Sequence, residues 1–211
     1  MNSNKIYTGS GILPIYIYND IPYFVIVRLN NDMYSDPGGK LEPNTSLIKN
    51  ATKELYEETC GLIKLEDSKL KKSNYQSIRI NYSKDKYYQS NIVIINSKID
   101  FKLYNKNLIE CNKFRFNPFT ESNKIHLIKL SMINYDILKK NLYTILNPRL
   151  KLIIVSILKK YDNISNFYNH IIKKIKPLYL EKIITNPISY EYETHKKIQI
   201  KNLSSFSSSN N

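Results

Sequence analysis

The chain has 211 residues, with 32 Lys+Arg against 18 Asp+Glu and a formal net charge of +14 at pH 7. A hydrophobic content of 42% at this length is typical of a globular protein with one substantial core. No apolar run reaches the ~18–20 residues that span a bilayer, and the N-terminal residues lack the apolar core of a signal peptide. Two cysteines are too few for a disulfide framework, so we expect reduced thiols, a cytoplasmic location and no membrane partner.

The first predicted elements form a β-hairpin. Gly9 to Tyr18 and Tyr23 to Leu29 are rich in β-branched and aromatic residues, which favour strands. The Asn19-Asp20 pair between them is typical of a tight turn. Because Pro14 lacks a backbone N–H, we expect this part of the first strand to lie at an edge or a bulge of the sheet.

The stretch from Asp36 to Gly61, DPGGKLEPNTSLIKNATKELYEETCG, carries the strongest chemical pattern in the chain. It begins with a loop in which two adjacent glycines, Gly38 and Gly39, allow backbone groups to approach a ligand closely. Lys40 adds a positive charge directly after them. Gly38, Gly39 and Lys40 are therefore substrate-binding candidates.

Three glutamates follow on the predicted helix. Glu54, Glu57 and Glu58 stand at positions i, i+3 and i+4, which share one helical face. Like charges at this spacing oppose helix formation by a few tenths of a kcal/mol per pair, so the cluster requires either solvent or a cation. Carboxylate oxygens on a rigid helix suit Mg²⁺ or Mn²⁺.

This loop and helix resemble the Nudix box of the Nudix hydrolases, G-x5-E-x7-R-E-U-x-E-E-x-G-U, in which U is an aliphatic residue. Gly39 takes the first glycine, and the segment from Glu54 to Glu58 fits the E-U-x-E-E core without gaps. The resemblance implies a Nudix-like α/β/α sandwich with a mixed sheet, and hydrolysis of a nucleoside diphosphate linked to another moiety. It also implies a site for one to three Mg²⁺ or Mn²⁺ ions made by the Gly39 carbonyl and three catalytic glutamates, Glu54, Glu57 and Glu58.

The chain departs from the box pattern at three places. Thr45 stands where the pattern has its first glutamate, Lys53 stands where it has arginine, and Cys60 moves the closing glycine one place on, to Gly61. Thr45 or Ser46 is expected to cap the helix, and Gly61 is expected to end it. Lys53 keeps a positive charge but lacks arginine's planar fork, so we expect weaker orientation of the glutamates and reduced activity.

Further strands are predicted downstream of the box. Leu62 to Leu65 is expected to form a short strand, and Tyr75–Tyr82 and Tyr87–Asn96 are expected to form a second hairpin. Lys124 to Leu130 is expected to form another strand. Arg79 alternates with apolar neighbours in the second hairpin, so it points either into the cleft, where it would bind substrate, or to solvent.

Two residues near the last predicted strand are also of interest. In Nudix-like chains a glutamate entering this region supplements the box, as a further metal ligand or as general base. Glu121 is the residue to which the resemblance gives this role. His126, in the middle of the strand, is expected to be half-buried and not catalytic.

From Tyr135 onward the apolar residues recur at helical spacing. Helices are predicted at Tyr135–Tyr143, Arg149–Tyr161 and Ile164–Lys176, with Pro148 at the first turn of the second helix. We expect a Nudix-like catalytic domain over residues 1–133 and a C-terminal helical extension packed on it over residues 134–180. Residues 181–211, rich in serine and asparagine towards the end, are expected to form a poorly ordered tail.

The basic excess favours polyanionic partners, although a coding bias towards Asn, Ile, Lys and Tyr would produce the same excess. The lysines of the C-terminal helices form either a solvated face or, if they converge on the cleft, a surface that contacts a long phosphate chain or RNA. Among substrates, this charge favours capped RNA, a dinucleoside polyphosphate or a highly phosphorylated inositol over a nucleotide sugar.

Three hypotheses follow for the function. The first is an active, metal-dependent hydrolase of a nucleotide-like diphosphate. The second, motivated by the substitutions at Thr45 and Lys53, is a catalytically weak module of the same fold that binds RNA or a nucleotide. The third treats the glutamates as structural, either solvated or paired with lysines.

Overall fold

The computed structural model describes residues 6–83, 85–111, 122–138 and 145–180 of the chain. The strands are β1 (Ile6–Tyr18), β2 (Ile21–Leu29), β3 (Tyr34–Ser35), β4 (Gly38–Lys40), β5 (Tyr75–Ser83), β6 (Lys86–Ile95) and β7 (Ser122–Lys129). The α-helices are α1 (Leu47–Glu58), α2 (Phe101–Cys111), α3 (Tyr135–Ile137), α4 (Pro148–Tyr161) and α5 (Ile164–Lys174). Single 3₁₀ turns lie at Asp67–Lys69 and Leu130–Met132.

All the described strands join one mixed sheet. Its main order is β3-β2-β1-β6-β5, with β4 paired to β1 and β7 paired to β2. The central pair β1–β6 is parallel, and the other pairs are antiparallel. Both predicted hairpins are confirmed, and Asn19 and Asp20 have φ of 48° and 60°, the left-handed values that a tight two-residue hairpin turn uses.

Pro14 lies inside the sheet, where the antiparallel partner of β1 changes. On the side of β1 opposite β6, β4 pairs with Gly9 to Gly11, while β2 pairs with Ile15 to Tyr18. Pro14 falls between these two ladders, and the register places it opposite Val93 of β6 on the other side. Pro14 therefore lies at a local gap between two ladders and not at an outer edge of the sheet. Its missing N–H falls where β1 and β2 separate and make room for β4.

Helices cover both faces of the sheet. Along β1, Ile12 and Tyr16 belong to a buried cluster that includes residues of α1 and α2. Leu13 and Ile15 point the other way, into a cluster that includes residues of α4 and α5. This alternation, with both faces buried, is typical of a central strand in a layered α/β domain. The predicted α/β/α sandwich with a mixed sheet is confirmed.

The C-terminal helices form the second helical layer of this sandwich. α4 and α5 follow the predicted bounds closely, and Pro148 is at the first turn of α4, with Asn147 as the N-cap. Their buried residues share one cluster with the strands. The domain boundary at residue 133 stays a prediction.

One predicted element is wrong, and others lie outside the described residues. The segment from Leu62 to Leu65 is a bend followed by irregular backbone, not a strand, and its apolar side chains are buried in the cluster beside α1. Within the predicted helix Tyr135–Tyr143, residues 139–143 are outside the description, as are Glu121 and residues 181–211. In the described parts of the chain, no helix combines the length and the apolar content needed to cross a bilayer.

Candidate active site

The strand β4 and the helix α1 bring the two halves of the box together. β4 pairs with β1 through Ser10 opposite Gly39, and the Ser10 hydroxyl donates to the Leu47 carbonyl at the start of α1 at 2.7 Å. Ser46 caps the helix, because its hydroxyl accepts from the Lys49 N–H at 3.2 Å. Of the two predicted caps, the structure therefore selects Ser46.

The helix ends in a left-handed turn that accounts for the displaced glycine. Cys60 has φ 47° and Gly61 has φ 73°. The N–H of Gly61 donates to the Tyr56 carbonyl at 2.8 Å, and the N–H of Cys60 donates to the Glu57 carbonyl at 3.0 Å. This is the pattern of a Schellman cap in which a non-glycine residue takes the first left-handed position. The C-cap therefore accommodates the extra residue, Cys60, and α1 still ends at Glu58.

The three box glutamates project from the same stretch of α1 but have different partners. The Glu54 carboxylate lies over the Cα of Gly39, since a Cβ added at Gly39 would come within 2.5 Å of its carbon and both its oxygens. Glu58 accepts a hydrogen bond from the Gly38 N–H at 2.8 Å. Glu57 pairs with Lys53 at 2.8 Å. Two of the three carboxylates thus contact the two adjacent glycines of β4.

The carboxylates do not converge on one point. Among the described residues, no group of three or more His, Cys, Asp and Glu side chains has the arrangement of a metal cluster. The separation has a physical cause, because like charges repel, Lys53 draws Glu57 to one side and the Gly38 N–H draws Glu58 inward. The metal-binding role of these residues and of the Gly39 carbonyl therefore stays a prediction.

Lys53 takes part in a three-residue ion pair at the mouth of the site. Its ammonium group lies 2.8 Å from Glu57 and 3.0 Å from Glu42. Burial alone would lower the pKa of Lys53, but hydrogen bonds and charge from both glutamates outweigh burial and raise it above its ordinary value. Lys53 is consequently charged at neutral pH and pairs with Glu57. For this one glutamate, the pairing agrees with the third hypothesis, in which the glutamates are structural and paired with lysines.

Glu58 is the most buried of the three carboxylates. Burial raises the pKa of Glu58 well above its ordinary value, while Arg149 and the Gly38 N–H act in the opposite direction. Nearby Glu54 and Asp36 add to the increase. The ionised form of Glu58 therefore depends on positive charge and hydrogen-bond donors placed close to it.

A buried network beneath the glycine loop was not predicted from the sequence. Asp36 is fully buried and accepts from Arg149 Nε at 2.8 Å and from the Tyr88 hydroxyl at 2.9 Å. The Ser35 and Ser90 hydroxyls also donate to this carboxylate, at 3.3 and 3.4 Å. The network joins the loop, the strand β6 and the first turn of α4 at one point. One feature of the sequence could have pointed to Arg149, since only four of the 32 Lys+Arg residues are arginine.

Two glycines make room for the Tyr88 hydroxyl. A Cβ added at Gly11 or at Gly38 would come within 2.1 Å of this oxygen, and at Gly11 it would also meet the Pro37 carbonyl at 2.4 Å. Burial raises the pKa of Tyr88 well above its ordinary value, so the hydroxyl stays protonated and donates to Asp36. The close approach of β1 and β4 at these glycines therefore depends on the absence of side chains.

Two open cavities lie beside the box. One, of about 530 Å³, is lined by Gly39, Lys40, Leu41, Glu42, Pro43, Lys53, Glu54 and Glu57. The other, of about 480 Å³, is lined by Leu29, Asn30, Asn31, Gly38, Gly39, Glu58 and Arg149. Both volumes are within the range of small-molecule sites, and Gly39 borders both cavities.

The remaining predicted residues have varied surroundings. Lys40 is exposed and lines the first cavity. Arg79 is exposed on β5, with its guanidinium 5.0 Å from the Tyr87 ring, and it lines neither cavity. His126 is half-buried, as expected, and its Nε2 is 3.0 Å from the Tyr34 hydroxyl. The substrate-binding role of Arg79 stays a prediction.

Glu121 lies outside the described residues, but the residue after it contacts the box helix. The Ser122 hydroxyl donates to the Glu58 carbonyl oxygen, and Ser122 is buried at the start of β7. The chain therefore enters β7 beside the C-terminal end of α1. The catalytic role of Glu121 stays a prediction.

The contact between Gly39 and Glu54 leads to a test by substitution. We expect Gly39→Ala to displace the Glu54 carboxylate and to lower affinity for Mg²⁺ or Mn²⁺ by about tenfold, the lower end of the effect of losing a residue that orients a ligand. Stability should change little, because the displaced atoms end a flexible side chain and Gly39 does not have positive φ. Calorimetric metal titration and thermal unfolding measure the two effects. An unchanged metal affinity would contradict the assignment of Glu54 as a ligand.

No family model and no curated protein sequence matches the chain. Solved structures do match, among them a bifunctional NMN adenylyltransferase/ADP ribose pyrophosphatase from Francisella tularensis, complexed with AMP and a Mn ion. It has 17% identity and a TM-score of 0.46 over 74% of this chain, and the chain spans 42% of its length.

Two further matches have lower identity but cover more of the other protein. A Nudix hydrolase from M. smegmatis, RenU, has 8% identity and a TM-score of 0.46, over 73% of this chain and 85% of the other. An Ap4A hydrolase from C. elegans has 10% identity and a TM-score of 0.40, over 80% and 98%. The chain is thus similar in fold to these solved structures, one of which is named a Nudix hydrolase.

Proposed function

We propose that the chain is a divalent-metal-dependent hydrolase of a nucleoside diphosphate linked to another moiety. The observation that supports this most directly is the contact of two box carboxylates with adjacent glycines of one strand, Glu54 over Gly39 and Glu58 on the Gly38 N–H. Acidic groups and glycine backbone thus occur together at the border of two cavities. This is the set of groups that a pyrophosphate and its counter-ions require.

The donor set fits Mg²⁺ or Mn²⁺. Glu54, Glu57 and Glu58 offer carboxylate oxygens, the ligands that these hard cations prefer, and Gly39 has no side chain that would fill the space beside Glu54. These three carboxylates, together with the Gly39 carbonyl, are the groups that would hold the ions. Bound there, the ions would neutralise charge on the diphosphate oxygens and lower the pKa of a water molecule.

The chain's own residues then have three tasks. Gly38 and Gly39 have no side chains that would fill the cavities they border, and Lys40 adds positive charge there. A carboxylate, Glu57, Glu58 or Glu121, takes a proton from the attacking water, a step worth ~10²–10⁴-fold in rate. The water oxygen forms a bond to phosphorus as the bridging P–O bond breaks, and no side chain becomes covalently attached.

The charge distribution favours a polyanionic substrate. The net charge is +14, and Lys159, Lys160, Lys173 and Lys174 are exposed on α4 and α5. Capped RNA, a dinucleoside polyphosphate and an inositol polyphosphate are the substrates that we propose to test first, with RNA contact through this lysine-rich surface. A cytoplasmic location is part of the same proposal, since the chain has only two cysteines and Cys60 is buried and not in a disulfide.

The pairing of Lys53 with Glu57 favours a second candidate function. A lysine that neutralises one box carboxylate competes with a cation for the same group. The chain would then be a catalytically weak Nudix-fold module that binds RNA or a nucleotide. The two functions differ in whether a bound diphosphate is turned over.

A substrate panel measured with Mg²⁺ and with Mn²⁺ tests the proposal. The panel should contain ADP-ribose, a dinucleoside polyphosphate, capped RNA and an inositol polyphosphate, with product formation followed by chromatography. We expect turnover of at least one member that requires the metal and stops when EDTA is added. No turnover with either metal, together with RNA binding that weakens steeply with added salt, would instead support the binding module.

A further inference from the structure

Arg149 connects the C-terminal helical layer to the glycine loop. It is the second residue of α4, directly after Pro148, and its backbone N–H donates to the Asn147 side chain that caps the helix. Its side chain is only 15% exposed and extends away from the helix into the buried network. A cap and a proline thus fix the backbone from which this side chain starts.

The guanidinium contacts three acceptors of the loop at once. Nε donates to the Asp36 carboxylate at 2.8 Å, and Nη2 donates to the Ser35 hydroxyl at 2.9 Å and to the Asp36 carbonyl at 2.8 Å. The guanidinium carbon Cζ also lies 4.8 Å from the centroid of the Tyr88 ring, within the range of a cation–π contact. An ammonium group cannot reproduce this fork, which explains why an arginine is found here in a chain dominated by lysine.

The loop that Arg149 contacts continues directly into β4, the strand that contains Gly38 and Gly39. Asp36 is followed by Pro37, whose carbonyl accepts from the Ile12 N–H at 2.9 Å, and then by Gly38. The Gly38 N–H in turn donates to Glu58. One short stretch of backbone therefore connects the arginine to a box carboxylate, and Arg149 and Glu58 border the same cavity.

We propose that Arg149 is a positioning residue of the hydrolytic site. It holds the loop from Ser35 to Gly39 so that the Gly38 N–H meets Glu58 and Gly39 lies under Glu54. The site consequently includes α4, and a catalytic unit that ended at residue 133 would lack the residue that fixes its glycine loop. This inference rests on the proposed hydrolase function, but its structural part can be measured without substrate or metal.

Two substitutions at Arg149 test the inference, with the same substitutions at Arg28 as controls. Arg28 forms an exposed i, i+4 pair with Asp32 and is outside the network. We expect Arg149→Met and Arg149→Lys each to lower kcat by about 10²-fold, the effect of misplacing a reacting group by ~1 Å, with KM changed less than about threefold. Arg28→Met and Arg28→Lys should leave kcat and KM unchanged.

A second measurement tests the structural part of the inference without substrate or metal. Hydrogen exchange of the Gly38 amide, followed by NMR in the metal-free protein, should be slow in the wild type and at least about tenfold faster in both Arg149 variants. Wild-type exchange at Gly38 in the Arg149→Lys variant, or an unchanged kcat per folded molecule, would overturn the inference. If Arg149→Met does not fold, Arg149→Lys gives both readouts.

The outcomes also distinguish failure of the inference from failure of the proposed function. A wild-type protein that hydrolyses no diphosphate would contradict the hydrolase function, whereas the Gly38 exchange rates would still show whether Arg149 holds the loop. Conversely, an active wild type whose Arg149 variants keep full kcat would retain the function and exclude the positioning role.

Discussion

Replacing Asp36 with asparagine is expected to lower the free energy of unfolding by about 3–5 kcal/mol, the usual effect of removing one partner of a buried ion pair. Asp36 is fully buried, and its carboxylate balances the charge of Arg149. Asparagine keeps the shape but removes the charge, and its NH₂ group replaces one of the two acceptor oxygens that face Arg149 and Tyr88, which are both donors. Chemical unfolding followed by circular dichroism measures the change.

Asp32→Asn is the matched control. Asp32 pairs with Arg28 at 3.0 Å, but its side chain is 72% exposed, so we expect a loss below about 1 kcal/mol. Asparagine also tolerates the positive φ of 65° at this position. Similar losses for the two variants would show that the Asp36–Arg149 pair does not stabilise the fold more than an exposed pair does.

The elements that the sequence predicted well are those with local causes. The two hairpins follow from β-branched and aromatic runs separated by turn residues, and α1 follows from a serine cap and an apolar stripe. The segment from Leu62 to Leu65 failed because a short apolar run is equally compatible with a strand and with a buried loop. Its side chains fill the cluster beside α1 without any strand partner being required.

The sequence predicted the candidate site as a glycine loop and a helical face, but not the partner of each side chain. Periodicity places Glu54, Glu57 and Glu58 on one face, but it does not determine where each side chain ends. Those positions depend on Lys53 within the helix and on Gly38 and Gly39 from a different strand. Helical spacing thus indicates that the three side chains start on one face of the helix. It does not indicate that their carboxylates meet at one point.

The Asp36–Arg149 pair could not be derived from local pattern, because its members are 113 residues apart in the chain. A buried charge requires a partner, yet the sequence does not indicate that Asp36 is buried, since it stands in a polar loop before a proline. The rarity of arginine in this lysine-rich chain is the signal that could have identified Arg149 as a residue that needs a planar fork.

Glu58→Gln is expected to lower the rate of diphosphate hydrolysis by at least ~10²-fold under saturating metal and substrate. Glutamine keeps the size of the side chain, and its amide oxygen can still accept from the Gly38 N–H. It can neither take a proton from water nor supply negative charge to a metal ion. Steady-state kinetics with Mg²⁺ and with Mn²⁺ measure the loss. The matched control is Glu66→Gln, since Glu66 forms an exposed pair with Lys69 and should leave the rate unchanged.

We do not expect the loss of activity in Glu58→Gln to result from unfolding. Burial raises the pKa of Glu58, so the folded state binds a proton there more tightly than the unfolded state does. Its contribution to stability is therefore present below the unfolded pKa and is lost as pH rises through the folded pKa. Glutamine is neutral at every pH, so Glu58→Gln should unfold at the same or a higher temperature at neutral pH. A variant that is stable and still hydrolyses at nearly the wild-type rate would exclude Glu58 as base and as metal ligand, and would leave Glu57 or Glu121 as the base.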